Sequence, residues 1–232
     1  LIRAHQGIFK KNYMIKIKPF FSVVTVVLNN LSGLKNTKSS LMNQDYKDFE
    51  WIVIDGGSFE PIASYLDGLE EESVKWISEK DSGIYDAMNK SLKLCNGNYI
   101  IFLNAGDCFS NPSILYRVSV KLKNLINSPD ILFSGATYVF NNGIRWYRKP
   151  KLIEKYIWHG LPAIHQATFY KRKIFQHIKY DLSYKFCGDY YLASVLFIKG
   201  ANPIYLDFSV VDFMVGGVSY CNPIRITIEP FK

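Results

Sequence analysis

Cysteine is scarce in this chain, with four in 232 residues: Cys95, Cys108, Cys187 and Cys221. None forms a C-x-x-C pair, and no histidine stands at a zinc-like offset from them. Free buried thiols in a reducing cytosol are therefore expected. Long hydrophobic runs are missing too. The longest near the start, Phe20 to Leu28, is interrupted by Ser22 and Thr25 and is too short to span a bilayer. No signal peptide is evident. No G-x-G-x-x-G follows that run, and G-x-x-x-x-G-K-[ST] occurs nowhere, so neither a dinucleotide phosphate loop nor a P-loop is supported. Acidic residues are outnumbered, 20 against 28 basic ones, for a net charge of +8. Anionic partners follow: nucleotide phosphates, nucleic acid or an acidic membrane surface. The basic residues are scattered without a block of five, which weighs against nucleic acid.

What the chain does contain is an alternation of apolar runs and helical patterns. FFSVVTVVL (20–28), EWIVI (50–54), VKWIS (74–78) and YIIFL (99–103) read as strands, the first as a buried strand of parallel type. Between them lie helices: one through Leu34 and Leu41, one opened by Pro61, and one carrying Ile84, Ala87, Met88, Ser91, Leu92 and Cys95 on one face. Asp81 or Ser82 is expected to cap the last of these. A further helix runs from Asn111-Pro112-Ser113 to about Ile126. Strand and helix repeat four times, which argues an α/β fold with a parallel or mixed sheet and helices on both faces.

The second half reads differently. Residues 131–148 suggest strands around a turn at Asn142-Gly143. A short helix at Leu152 to Trp158, a strand-like 165–170, a helix over 189–200 and a strand-rich 203–215 follow. Without a low-complexity linker or an internal repeat, one domain is expected: a lead-in over 1–18, a first half over 19–135 and a second over 136–232. Met14 is the expected natural start, with residues 1–13 a tag remnant or a basic extension.

Acids fall at strand ends: Asp55 after the second strand, Asp81 past the third, Asp107 past the fourth. In open α/β sheets ligands bind beyond the carboxyl ends of the strands. Each acid alone is an ordinary turn or cap residue. Three on one edge repel unless they meet a cation, a base edge or backbone N–H groups. Asp107 is the candidate metal ligand. Lys80, Lys90, Arg145 and Arg148 are candidates for charge support of a diphosphate. Trp158 and Tyr147 could stack on a sugar, though core packing is the expectation for both.

Several stretches then resemble, in order, the family 2 glycosyltransferases of bacterial O-antigen and exopolysaccharide synthesis. They are SVVTVVLNN, LMNQDYKDFEWIVIDGGS, ISEKDSGIYDAMNKSLKLCNGNYIIFLNAGD, HQATFYKRKIF and FCGDYYL, together covering about Pro19 to Ser219. The resemblance implies a GT-A fold with a Rossmann-like mixed central sheet. It implies transfer of a sugar from a UDP-sugar donor (UDP-Glc, UDP-Gal or an N-acetylated form), with Mn2+ or Mg2+ and inversion to a β-linkage. The acceptor it implies is an undecaprenyl-diphosphate-linked or similar lipid-linked saccharide, at the inner face of the cytoplasmic membrane. In that register Asp189 matches the catalytic base and Asp107 the metal ligand. Asp55, Asp81, Asn89, Lys90, Asn104, His165 and Gln166 match donor-side positions, with Asn89 the more structural. Gly216-Gly217-Val218-Ser219 resembles an acceptor-side loop. Two departures stand out: only one acid in Asn104-Ala105-Gly106-Asp107, and Gly188 where an acid usually precedes the base. Rivals are a sugar-phosphate nucleotidyltransferase, whose Gly-rich loop is absent, a glycoside hydrolase using Asp107 and Asp189, and a non-catalytic nucleotide-sugar-binding module.

Overall fold

A computed structural model describes residues 18–59, 61–69 and 74–216. The expected start at Met14, Cys221, and Gly217 to Ser219 of the acceptor-side loop lie outside the described residues.

The first half follows the sequence pattern closely. Strand β1 (Phe21–Val27) leads to α1 (Leu31–Met42), β2 (Phe49–Asp55), α2 (Ile62–Asp67), β3 (Val74–Ser78), α3 (Ile84–Leu92) and β4 (Tyr99–Phe102). β1 pairs in parallel with β2 and β4, and β2 in parallel with β3. All seven residues of β1 are buried, as a central strand covered on both faces requires. Phe21, Val23 and Val27 pack on one side with Leu34 and Leu41 of α1. Val24 and Val26 pack on the other with Ala87 and Met88 of α3. The continuous apolar run is the sequence mark of this two-sided burial.

The chain then makes a two-residue β5 (Cys108–Phe109), α4 (Ile114–Lys123), β6 (Ile131–Val139), β7 (Arg145–Arg148), a short α5 (Ile153–Tyr156), β8 (Thr168–Lys171), α6 (Gly188–Ile198) and β9 (Pro203–Met214). Nine strands form one mixed sheet in the order β3-β2-β1-β4-β8-β6-β9-β5, with β7 on β6. Antiparallel β8 bridges β4 and β6, so both halves share the sheet. The expected boundary at residue 135 falls inside β6, where a bulge shifts the register with β9 around Gly135. Residues 165–167, expected as strand, form a 3-10 turn ahead of β8. Asp81 and Ser82 do not cap α3; Gly83 stands at its start without a side-chain cap. Asp81 instead accepts from Gly83 N (2.9 Å), and Asp86 accepts from Ser82 N (3.0 Å).

A buried acid that the sequence reading passed over ties the opposite edge together. Glu50, 5% exposed, accepts from Ser22 Oγ (2.6 Å), Lys75 Nζ (2.5 Å) and the amides of Asn96 and Gly97. It joins β1, β2, β3 and the α3–β4 turn. Burial pushes its carboxyl up, but the Lys75, Ser22 and Asn96 bonds outweigh that and hold it below the ordinary glutamate value.

Candidate active site

The Asn104-Ala105-Gly106-Asp107 turn leaves β4 at its carboxyl end, and side chains from α1 clamp it. Thr37 Oγ1 donates to the carbonyls of Asp107 (2.9 Å) and Asn104 (3.3 Å) and accepts from Gly106 N (3.0 Å). Asn30 caps α1 by accepting from Gly33 N (2.9 Å) and donates to Ala105 O (3.3 Å). Gly106 sits at φ 108°, a conformation that costs side chains dearly. Thr37 and Asn30 thus fix the backbone of the turn that carries Asn104 and Asp107.

Those side chains face a cavity of about 820 Å³. Asp107 is buried, and Met214 N donates to its Oδ1 (3.1 Å). Burial pushes its carboxyl up to about 7, the single amide bond opposing only in part. Asn104 Oδ1 is buried with no hydrogen-bond partner among the described residues. An acid destabilised by burial and an orphaned amide oxygen in one turn fit a hard divalent cation, which takes oxygen donors and keeps water and phosphate ligands for itself. No group of three or more His, Cys, Asp or Glu stands ready to hold a metal among the described residues. Asp107 and Asn104 would therefore be the protein's share of the ligands.

From the second half, Asp189 enters the same cavity on the first turn of α6. Tyr85, from α3, donates its hydroxyl to Asp189 Oδ1 (3.0 Å) and to Phe186 O (2.9 Å). Burial and the nearby Asp189 charge push the Tyr85 phenol far up, so it stays a donor. The Tyr85 ring stacks on Tyr180 at 5.4 Å. It also lies so close to Gly188 that a Cβ there would meet the ring at 2.8 Å. A side chain at position 188, where an acid was expected, would collide with that ring. Nothing near Tyr85 in sequence pointed to this contact, which spans 104 positions.

The other candidates divide. Asp81, Asn104, Asp107, His165, Gln166, Asp189 and Gly216 line the cavity. Burial pushes Asp81 up, with the Gly83 amide and Lys90 opposing and the Asp86 and Asp55 charges adding to the rise. Asp55, Asn89 and Lys90 are not among the lining residues. Asp55 accepts from Ser58 Oγ (2.5 Å), Ser58 N (3.2 Å) and Ser78 Oγ (2.6 Å), so its carboxylate closes the turn beneath Asp81 rather than opening onto the cavity. Asn89 exchanges bonds with Tyr180, donating to its carbonyl (2.8 Å) and accepting from its amide (3.0 Å). That is a brace between α3 and the second half, the structural role expected for it. Lys90 pairs with Glu79 (3.0 Å) and Asp86 (3.6 Å) and donates to Lys80 O (2.9 Å), which fixes the segment carrying Asp81.

His165 is only 5% exposed. Its ring stacks on Phe102 at 4.9 Å, and its two nitrogens share hydrogen bonds with the hydroxyls of Tyr170 (3.2 Å) and Tyr180 (3.0 Å). Burial pushes it down to about 3, so the imidazole is neutral. Only an edge of it reaches the cavity wall, with Gln166 beside it. Of the cations named from sequence, Arg145 pairs with Asp212 (2.7 Å), and neither it nor Arg148 lines the cavity. The cation that does is Lys185, which the sequence reading missed. Trp158 and Tyr147, expected in the core, are 76% and 38% exposed.

Comparison with known proteins bears on this arrangement. The family profile described as "Glycosyl transferase family 2" matches residues 22–190. An "Uncharacterized glycosyltransferase" of Mycobacterium tuberculosis is 32% identical over 175 residues, covering 74% of this chain and 66% of that protein. A "PGL/p-HBAD biosynthesis glycosyltransferase" of Mycobacterium bovis is 30% identical over 179 residues, covering 74% and 67%. Among solved structures, S. aureus TarS 1-349 in complex with UDP superposes with a TM-score of 0.66 at 18% identity, covering 84% of this chain and 60% of that one. The mannosyltransferase PcManGT from Pyrobaculum calidifontis, in complex with GDP-Man and Mn2+, gives 0.69 at 14% identity, covering 93% and 63%. The chain thus spans about two thirds of the length of these relatives, and the fold is that of the GT-A glycosyltransferases.

Proposed function

The chain belongs to glycosyl transferase family 2, and from that premise we propose that it moves a sugar from a nucleoside diphosphate to a hydroxyl, with inversion at the anomeric carbon. The observation that carries this reading is the meeting of Asp189 with the Asp107–Asn104 turn across one cavity. In the reaction, the acceptor oxygen forms a bond to the anomeric carbon while the bond to the diphosphate oxygen breaks. The acceptor proton passes to an Asp189 carboxylate oxygen, a step worth about 10²–10⁴ in rate for a placed base. The diphosphate leaves toward the opposite wall, where Asp107 and Asn104 would hold Mn2+ or Mg2+. When bound, that cation supplies charge neutralisation for the leaving diphosphate. Asp107 and Asn104 set its place, Lys185 adds positive charge to the wall, and Tyr85 holds the base. One displacement turns an α-linked donor into a β-linked product.

A uridine donor and a lipid-linked saccharide acceptor of surface polysaccharide synthesis complete the proposal. The donor is supported by the likeness to a UDP complex, and the envelope role by the relative described for PGL/p-HBAD biosynthesis. No helix among the described residues is long and apolar enough to cross a membrane. The test is nucleoside diphosphate release from UDP-Glc, UDP-Gal, UDP-GlcNAc and GDP-Man, with and without Mn2+ and with and without lipid-linked saccharides. Release with one donor that depends on both acceptor and cation is expected. Binding of a donor without release under any acceptor would overturn the transferase reading in favour of a binding module.

A further inference from the structure

Residues 144–158 read IRWYRKPKLIEKYIW. Five of them are basic and Glu154 is the only acid, so this stretch carries half the net charge of the chain. It also holds Ile144, Trp146, Tyr147, Leu152 and Trp158, all large apolar residues left exposed. Single exposed apolar residues are ordinary, but a run of them among cations on one segment marks an interaction surface.

The backbone sorts these side chains. Among the described residues β7 is bonded only to β6, and its residues alternate. Arg145, Tyr147 and the following Lys149 turn toward β9, where Asp212 and Asp207 take them up at 2.7, 3.2 and 3.0 Å. Trp146 and Arg148 turn the other way. Trp146 lies against Tyr138 (5.5 Å between ring centroids). Arg148 donates to Tyr138 Oη (3.3 Å) and Leu161 O (3.0 Å), and its guanidinium stands 5.9 Å from the centre of the Tyr156 ring. These contacts join the hairpin to α5. Ile153 and Ile157 anchor α5 in the core, while Lys151, Leu152, Lys155 and Trp158 face outward. Lys151 and Lys155 have no acidic partner among the described residues. Arg148 meets only neutral oxygens.

We propose that this face, from Trp146 across Arg148 to Lys151, Lys155 and Trp158, docks the protein on an anionic lipid surface. Indole rings suit the boundary between headgroups and acyl chains, with an apolar body and one polar N–H. Uncompensated cations beside them are drawn to anionic headgroups, and neither feature alone gives firm attachment. The face is continuous with the candidate active site. Tyr138 also touches Phe213 (5.3 Å), and Phe213 lines the cavity. Docking there brings the cavity toward the headgroups, where the acceptor of the proposed function would be carried. The inference rests on that reading only for what enters the cavity; attachment stands on the surface itself.

The test is co-sedimentation of the chain with vesicles of phosphatidylcholine containing phosphatidylglycerol, against phosphatidylcholine alone. Binding to the anionic vesicles, released by high salt, is expected. K151E/K155E and W146A/W158A should each weaken it by about tenfold or more, with circular dichroism unchanged because all four side chains are exposed. K93E/K121E makes the same charge change at the end of α3 and on α4, at exposed positions outside this face, and should retain binding. No binding by the native chain overturns the proposal. So does an equal loss in K93E/K121E, which would mean diffuse charge attraction. Self-association without vesicles that W146A/W158A abolishes would assign the face to a second copy instead. Vesicle binding without sugar transfer would sink the activity and leave the surface; transfer without vesicle binding would do the reverse.

Discussion

Asp107 is the residue whose placement works against the fold. Its carboxyl, pushed up to about 7 by burial, keeps a proton in the folded state that the unfolded chain gives up near the ordinary aspartate value. Its contribution is therefore intact in acid and is lost as pH rises through about 7. Asp107→Asn removes that penalty while keeping the oxygen that accepts from Met214. In chelator-treated protein the variant should be more stable than wild type at about pH 8, by on the order of 2–4 kcal/mol, with the gap closing at about pH 4. Denaturant melts at the two pH values check this. The same variant should lose cation-dependent donor binding by calorimetry, so stability and binding move in opposite directions. Tyr85→Phe keeps the ring that stacks on Tyr180 and removes only the hydroxyl on Asp189. We expect kcat to fall by about tenfold with donor affinity unchanged. The acidic limb of the pH–rate profile should move upward, since a bond to the charged form favours it. A loss of packing alone would leave that limb in place. Both residues show what one-dimensional reading sees and misses. Asp107 stood out because it ends an apolar run in the right register. Tyr85 carried no signal of its own, because its partner lies 104 positions away.

At the scale of elements, β1, β2 and β4 were legible because parallel strands inside the sheet are buried on both faces and leave largely apolar runs, while β3 at the sheet edge is only partly buried. α3 was legible for its periodicity, yet its start was misplaced: Asp81 and Asp86 each take up an amide of the preceding loop, and the helix begins after Gly83 without a side-chain cap. The two-residue β5 carries no pattern of its own and exists because β9 runs beside it. The exposure of Trp158 and Tyr147 had no local signal either, since aromatic residues look alike in sequence whether core or surface. Glu50 is the counterpart within the sheet. An acid in an apolar strand gives no hint of its partners, but in the structure it fastens β1, β2, β3 and the α3–β4 turn. Because its carboxyl is held below the ordinary value, its contribution is present above pH ~4.5 and is lost as pH falls through its lowered folded value. Glu50→Gln should cost about 1–3 kcal/mol at neutral pH, with less of a difference in strong acid, as thermal melts across pH would record. Equal destabilisation at all pH values would mean that the network is held by shape and not by charge.

The molecule as a whole joins two readings of different quality. Its first half announces itself through strand-end acids; Asp81 and Asp107 line the cavity, and Asp55 is turned under the edge. The second half was recognisable mainly through short motifs, and it supplies the other wall of the cavity: Asp189, Lys185, Met214 and the aromatic brace around His165. β8 makes this possible, since it bonds to β4 on one side and β6 on the other and so fixes both walls to one sheet. The proposed transfer depends most on Asp189 being the group that takes the acceptor proton. Its most direct test is Asp189→Asn, compared with wild type for donor binding by calorimetry and for sugar transfer under the same conditions. Unchanged donor binding with transfer reduced by about 10²-fold or more is expected; transfer at a near wild-type rate would contradict that role for Asp189.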